Sequence, residues 1–183
     1  MYGLSGYDTN INKDTLRDIL DRLPESRENQ TVRQAIIALV TRKSIQPIPY
    51  TYTATYWLTG ANNAIAAGAL NNIVNIPVQA DADFLVINQT YWANTANAAV
   101  AFGTRVAPNA DVMLTDTGSG YQFMDSPVPV ASIFGTGEFP YVLPQPRLLK
   151  ARSTLQVIVD SFDAGAGINL WLSFNGVKLF AFD

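Results

Sequence analysis

The chain has 183 residues, of which 48% are hydrophobic and 15% charged, and its formal net charge at pH 7 is −3. This length fits one domain with a substantial core and a small appendage, and the charge lacks the basic excess of a nucleic-acid-binding protein. The chain contains neither cysteine nor histidine, which excludes thiolate metal sites and removes the commonest general base and metal ligand.

The first 48 residues carry a dense mixture of charges, with seven of the twelve Lys and Arg and six of the fifteen Asp and Glu. Two helices are predicted in this region. The first, Lys13–Leu23, follows the N-cap candidate Asn12 and stops at Pro24. The second, Gln30–Lys43, follows the N-cap candidate Asn29 and has apolar residues at helical spacing.

Two short helices bury little surface alone, so they must pack on something larger. Either they pack on the β domain of their own chain, or they form an arm that docks on another subunit. In the second case, the candidate partner-docking residues are Leu16, Ile19, Leu20, Val32, Arg33, Ile36 and Leu39. Because Pro47 and Pro49 cannot continue a helix, we predict an N-terminal helical arm at 1–47 and a β domain at 48–183.

From Tyr50 onward the sequence is typical of strands. Three Thr residues alternate with Tyr50, Tyr52, Ala54 and Tyr56. The next strand, Leu70–Ala80, contains Pro77, which suits an edge position because proline has no N–H to donate. The continuous apolar run Phe84–Ile87 predicts a strand that is buried on both faces. A further short strand is predicted at Asp111–Thr115.

Residues 116–146 contain five prolines, which predicts a long surface excursion with short strands at Tyr121–Met124 and Val130–Phe134. The last part of the chain predicts three strands, at Ser153–Ser161, Ile168–Phe174 and Val177–Phe182. Between the last two strands, Asn175-Gly176 indicates a tight hairpin turn. The pattern of about eight short strands predicts a mainly β protein, an antiparallel β-sandwich or jelly roll with a short N-terminal α-helical arm.

Few residues indicate chemistry. Asp116-Thr117-Gly118-Ser119 after an apolar run matches the aspartic-protease signature, but the same letters form a polar turn that closes a strand. The pairs Asp81 with Asp83 and Asp160 with Asp163 could contribute to a calcium site or could be solvated turn residues. We expect no catalytic residues, no metal site and no cofactor.

An aromatic set could build a sugar-binding platform by stacking, and the alternative is that its rings fill the core and interfaces. Its members are Tyr52, Tyr56, Trp57, Tyr91, Trp92 and Trp171.

The segment Pro144–Phe180 resembles the C-terminal block of structural proteins from tailed bacteriophages. The resemblance is carried by Pro146-Arg147 ahead of a strand, by the alternating run Leu155-Gln156-Val157, and by Phe174-Asn175-Gly176-Val177-Lys178 as a Phe-x-Gly-x-Lys hairpin. It implies a jelly-roll protein of the virion, located on the capsid surface or at the tail or a vertex.

The resemblance further implies a non-enzymatic protein that decorates or cements the capsid. Its expected partners are the major capsid protein or other virion proteins and further copies of itself, for which a trimer is our expectation. No apolar run is long enough to span a membrane, and neither a membrane nor nucleic acid is an expected partner. The alternative function is a tail-associated receptor- or carbohydrate-binding β-sandwich module.

Overall fold

The computed structural model of the chain describes residues 13–22, 30–41, 48–56, 63–96, 105–165 and 167–180. These residues contain the helices α1 (Lys13–Arg22), α2 (Gln30–Thr41) and α3 (Val130–Ile133). Their strands are β1 (Ile48–Tyr56), β2 (Asn72–Pro77), β3 (Asp83–Thr95), β4 (Ala110–Asp116), β5 (Tyr121–Gln122), β6 (Val128–Pro129), β7 (Tyr141–Leu149), β8 (Thr154–Ser161) and β9 (Ile168–Leu179).

The strands form two antiparallel sheets that pack face to face. The first sheet has the order β1-β9-β3-β7, and the second has the order β2-β8-β4-β5, with β6 also paired to β4. The pairs are nested along the chain, because β1 pairs with β9, β2 with β8, β3 with β7, and β4 with β5 and β6. The predicted mainly β, antiparallel sandwich is therefore confirmed.

The core lies between the sheets and is filled by alternate residues of each strand. In β8, Leu155, Val157 and Val159 are buried, and burial of each such side chain contributes about 1.5–3 kcal/mol. Tyr56 reaches from β1 to the second sheet, where its hydroxyl donates to the backbone oxygen of Asn72 at 3.1 Å, with that of Val157 at 3.2 Å as a second acceptor. This burial raises the pKa of Tyr56.

A second apolar cluster lies on the outer face of the first sheet. Val32 and Ile36 of α2 pack there against Leu85, Ile87 and Val177. The helices thus pack on the β domain of their own chain, which was the first of the two alternatives for them.

The apolar run in β3 is buried on both faces, as its sequence predicts. Phe84 and Val86 belong to the core between the sheets, whereas Leu85 and Ile87 lie under the helices. Packing on both faces leaves the run Phe84–Ile87 without a solvent-facing side, which explains why this run lacks alternation.

The predicted hairpin at Asn175-Gly176 is wrong, because β9 continues through both residues as one strand. Gly176 lies between two neighbours, opposite Tyr50 of β1 and Val86 of β3. A Cβ atom at Gly176 would lie 1.9 Å from the backbone oxygen of Leu85. The glycine is therefore needed because β3 and β9 approach each other closely at this point, and not because the chain turns there.

The predicted long excursion over 116–146 is also partly wrong, because it contains the start of strand β7 and the helix α3 instead of a strand at Val130–Phe134. Strand β7 tolerates its prolines because it is an edge strand. Its register with β3 shifts between the pairs Val86–Arg147 and Asn88–Val142. Pro144 and Pro146 lie in that irregular stretch, where the residues of β7 are not paired with β3 and need no N–H for a ladder hydrogen bond.

Candidate functional site

The residues predicted to dock on a partner lie on α1 and α2. Val32 and Ile36 are buried against their own sheet, and Ile19 and Leu20 pack at the border of the same cluster. Arg33 donates from Nη1 to the backbone oxygen of Leu20 at 3.1 Å. These five residues therefore make contacts within their own chain, and their docking on a partner stays a prediction. The other two predicted docking residues are Leu16 and Leu39, whose side chains lie outside the described part of the structure.

The protease-like segment forms the turn between β4 and β5. Asp116 accepts hydrogen bonds at Oδ1 from the Gly118 N–H, at 3.0 Å, and at Oδ2 from the Ser119 hydroxyl, at 2.6 Å. Gly120, in the same turn, has a φ of +71°, a value that glycine adopts without strain. Both carboxylate oxygens of Asp116 thus hold the turn, which favours the polar-turn alternative.

Asp81 and Asp83 each bind a different lysine rather than converging on one point. Asp83 accepts from Lys150 Nζ at 2.8 Å and from the Ala151 N–H at 2.8 Å. Asp81 accepts from Lys178 Nζ at 2.9 Å and 3.1 Å. The pair therefore acts as two separate ion pairs between turns and strands.

The second aspartate pair, Asp160 and Asp163, also makes two separate contacts. Asp160 accepts from the Asn71 N–H at 2.6 Å, and the Asp163 N–H donates to the Ser161 hydroxyl at 3.4 Å. Within the described ranges, no group of three or more Asp, Glu, His or Cys is placed to share a metal ion. Among the helices described, none is both long and apolar enough to cross a membrane.

Lys178 is buried on the inner face of β9, with 5% of its side chain exposed. Besides Asp81, its ammonium donates to Gln79 Oε1 and lies 4.2 Å from the centre of the Tyr50 ring. The hydrogen bond from Lys178 lowers the pKa of Asp81. Every one of these partners belongs to the β domain, so the buried ammonium of Lys178 is paired within the fold.

The predicted aromatic set is divided between the core and the outer surface. Tyr52 and Tyr56 are buried between the sheets, and Trp57 lies outside the described residues. Trp92 of β3 and Trp171 of β9 are directly opposite each other, and their neighbours Ala93 and Leu170 face the core. The two indoles therefore lie on the outer face of the first sheet, where Trp92 is 40% exposed.

A cationic side chain lies beside Trp92, and polar side chains lie farther along the same face. The Arg105 guanidinium carbon lies 5.6 Å from the centre of the Tyr91 ring and 5.9 Å from that of Trp92. Farther along the same face, Asn175 accepts from the Thr51 hydroxyl and donates to Asn88 Oδ1, both at 2.8 Å. Aromatic rings beside hydroxyls and amides suit a flat polar ligand.

A cleft of about 260 Å³ opens between the two sheets beside the edge strand β7. Its rim carries Arg147, whose guanidinium carbon lies 5.8 Å from the centre of the Phe123 ring. The half-buried amide side chain of Gln145 also lines the cleft. The largely apolar residues that line it are Leu114, Phe123, Met124, Ile133, Tyr141, Leu143 and Pro144.

Gln89 of β3 also lines this cleft, and it is 1% exposed. Neither its Oε1 nor its Nε2 hydrogen bonds to any residue that the structure describes. The sequence does not predict that Gln89 points into the cleft. The register shift between Val86 and Asn88 determines which face of the sheet Gln89 occupies, and that shift depends on the pairing with β7.

The described residues thus offer binding surfaces of three kinds: the apolar cleft with its buried amide, the Trp pair, and the outer faces of the sheets. Compared with known proteins, the chain matches no protein-family model, and no curated protein is significantly similar to it.

Proposed function

We propose that this protein is a non-enzymatic structural protein of a tailed-phage virion, built as a jelly roll, which binds neighbouring virion proteins. The observation that carries the proposal is the nested pairing of strands, in which the first half of the chain pairs in reverse order with the second. Such a ribbon, rolled into two sheets, is the arrangement of jelly-roll domains, which include viral capsid domains.

The sequence resemblance supports the same class of protein. Pro146-Arg147, one part of that resemblance, lies in β7, and Leu155-Gln156-Val157 lies in β8. The Phe-x-Gly-x-Lys part corresponds to the central strand β9 rather than to a hairpin.

In this proposal the protein decorates or cements the capsid through its helical arm and the surfaces of its β domain. Because Val32 and Ile36 are engaged within the chain, the partner meets the outward side of α2, where Ile37 is 42% exposed. The arm therefore docks with its outward side while its inward side stays on the sheet.

The outer face of the second sheet offers an apolar row to a neighbouring subunit. Ile73, Ile158 and Met113 are in register across β2, β8 and β4. Ile73 is 51% exposed. An exposed apolar row on a sheet is typical of a surface that binds another protein.

Cosedimentation of the purified protein with phage capsids that lack it tests the proposal. We expect the protein to pellet with the capsids and, by light scattering, to have the mass of three copies of the chain. Ile73→Asp should weaken capsid binding at least tenfold, while Asn75→Asp places the same charge two residues along the same strand and serves as the control. A protein that is absent from purified particles and ignores capsids would contradict the proposal.

A tail-associated receptor- or carbohydrate-binding module is the second candidate, and the facing pair Trp92 and Trp171 favours it. In that case Trp171→Ala should abolish binding to a host glycan, whereas Tyr121→Ala, at an exposed tyrosine on the other sheet, should leave binding intact. Absence of binding to every host glycan tested would exclude this candidate.

A further inference from the structure

We propose that the cleft beside β7 binds a peptide group of a partner protein, consisting of one large apolar side chain and its adjoining backbone amide. The inference rests on the cleft and on Gln89, and it is independent of whether the partner belongs to a virion. Three properties of the cleft identify this ligand: its volume, its single buried polar group and its position at a sheet edge.

The volume suits one large side chain. An apolar protein cavity of about 150 Å³ is known to accept benzene, and this cleft is larger, at about 260 Å³. Its walls include Leu114, Ile133 and Leu143, which contact an aromatic or branched aliphatic group favourably because both surfaces leave water.

Gln89 determines the polar part of the ligand. Its amide presents a donor, Nε2, and an acceptor, Oε1, and neither atom hydrogen bonds to any residue in the described part of the chain. Burial of such groups without partners is unfavourable. A peptide amide supplies the complementary pair, because its carbonyl accepts from Nε2 and its N–H donates to Oε1.

Other ligand classes fit the cleft less well. A plain hydrocarbon would leave both atoms of Gln89 without partners. A sugar would bring several hydroxyls into a cleft whose one fully buried polar side chain, among the lining residues, is Gln89, since Gln145 is half-buried and Arg147 is exposed. Each hydroxyl left unpaired against the apolar wall would weaken binding.

The position of the cleft also suits a protein chain. Tyr141, Leu143 and Arg147 belong to β7, an edge strand of the first sheet. An extended peptide that places a side chain in the cleft can therefore run along this edge. The irregular stretch around Pro144 and Pro146 limits how many backbone hydrogen bonds it can form there.

The direct test is titration of N-acetyl-phenylalaninamide into the full-length, ¹⁵N-labelled protein, followed by NMR. We expect saturable shifts at the Gln89 side-chain amide and at the backbone amides of Leu114 and Leu143. Toluene has the ring without the amide, and acetamide has the amide without the ring. Each should bind at least tenfold more weakly, and tenfold corresponds to about 1.4 kcal/mol.

Two variants separate the roles of the amide and the cleft. Gln89→Met keeps the side-chain length and removes both polar atoms, so the affinity for the probe should fall about tenfold. Ile133→Trp fills the cleft from α3 without changing Gln89, and it should abolish binding. Gln122→Met makes the same chemical change at an exposed position of β5 and should leave the affinity unchanged.

Circular dichroism checks that each variant is folded, and Ile133→Trp keeps the test decisive if Gln89→Met does not fold. Equal affinity of the probe for the wild type and Gln89→Met, or equal affinity of toluene and the amide, would overturn the proposal. Absence of saturable shifts with N-acetyl-phenylalaninamide would also overturn it, because water alone would then fill the cleft.

Discussion

Lys178 and Gln89 are polar side chains buried on the inner face of the same sheet, on the neighbouring strands β9 and β3. They differ in what surrounds them. Lys178 has the carboxylate of Asp81, the amide of Gln79 and the Tyr50 ring. The side chain of Gln89 faces a largely apolar cleft, and its two polar atoms have no hydrogen-bond partner among the described residues.

The difference separates a polar group that the fold requires from one that it does not. A buried polar group lowers stability unless it is paired, and Lys178 is paired within its own domain. Gln89 lies at the open side of the sandwich, where another molecule can supply the pairing. Stability and, in the proposal above, binding depend on different buried side chains of one sheet, and substitutions at the two positions should have different consequences.

The largest effect is expected for Lys178→Ala. The substitution removes a buried aliphatic stem and a charged donor with two partners, so the free energy of unfolding should fall by about 2–3 kcal/mol. Urea denaturation measures this loss. Lys150→Ala is the matched control, because Lys150 also pairs with an aspartate but is largely exposed, and it should change stability by less than about 0.5 kcal/mol. Equal losses would show that burial of Lys178 is unimportant.

Tyr56→Phe should lower the free energy of unfolding by about 1–2 kcal/mol, because it removes the hydroxyl that bridges the two sheets. The effect should depend on alkaline pH. Since burial raises the pKa of Tyr56, its stabilising contribution is complete below about pH 10, the value for an unfolded tyrosine, and is lost as the pH rises toward the higher folded value. A difference between wild type and Tyr56→Phe that stays constant from pH 8 to 11 would contradict this.

A smaller effect is expected for Asp81→Asn, because Asp81 is half exposed and its ion pair is partly screened. The lowered pKa of Asp81 means that its contribution is present above about pH 4, the value for an unfolded aspartate, and is lost as the pH falls through the folded value. The wild type should therefore be more stable than the variant at pH 7, and the difference should shrink as the pH falls below about 4. Urea midpoints at several pH values measure it, and a persistent difference at low pH would exclude the ion pair as the cause.

The sequence predicted those parts of the fold that depend on local pattern. Alternation identified β1 and β8, and the uninterrupted apolar run of β3 predicted a strand covered on both faces. Pro77 indicated an edge strand, and β2 is at the edge of its sheet. In each case, the structure depends on residues that are close together in the sequence, so the local pattern was enough to predict it.

The errors arose where contacts between distant segments determine the outcome. Asn175-Gly176 has the composition of a turn, but Gly176 is required because the Leu85 backbone leaves no room for a Cβ atom. Because of Pro144 and Pro146, this segment was predicted to be a loop, yet both residues lie in the irregular stretch of an edge strand. Only the assembled sheet shows either fact.

The binding surfaces were predicted less well than the fold. The aromatic set included the facing pair Trp92 and Trp171 but could not separate it from the core residues Tyr52 and Tyr56. The cleft was not predicted, because its residues come from five separate parts of the chain and the face of Gln89 depends on a register shift.

The most direct test of the contrast between the two buried polar groups is the free energy of unfolding of Gln89→Met, measured by urea denaturation beside the wild type. We predict that it is unchanged or raised by up to about 1 kcal/mol, because the substitution removes buried polar atoms that have no partner in the fold. A decrease of more than about 1 kcal/mol would show that the amide hydrogen bonds within the folded protein, and it would contradict the distinction between Gln89 and Lys178.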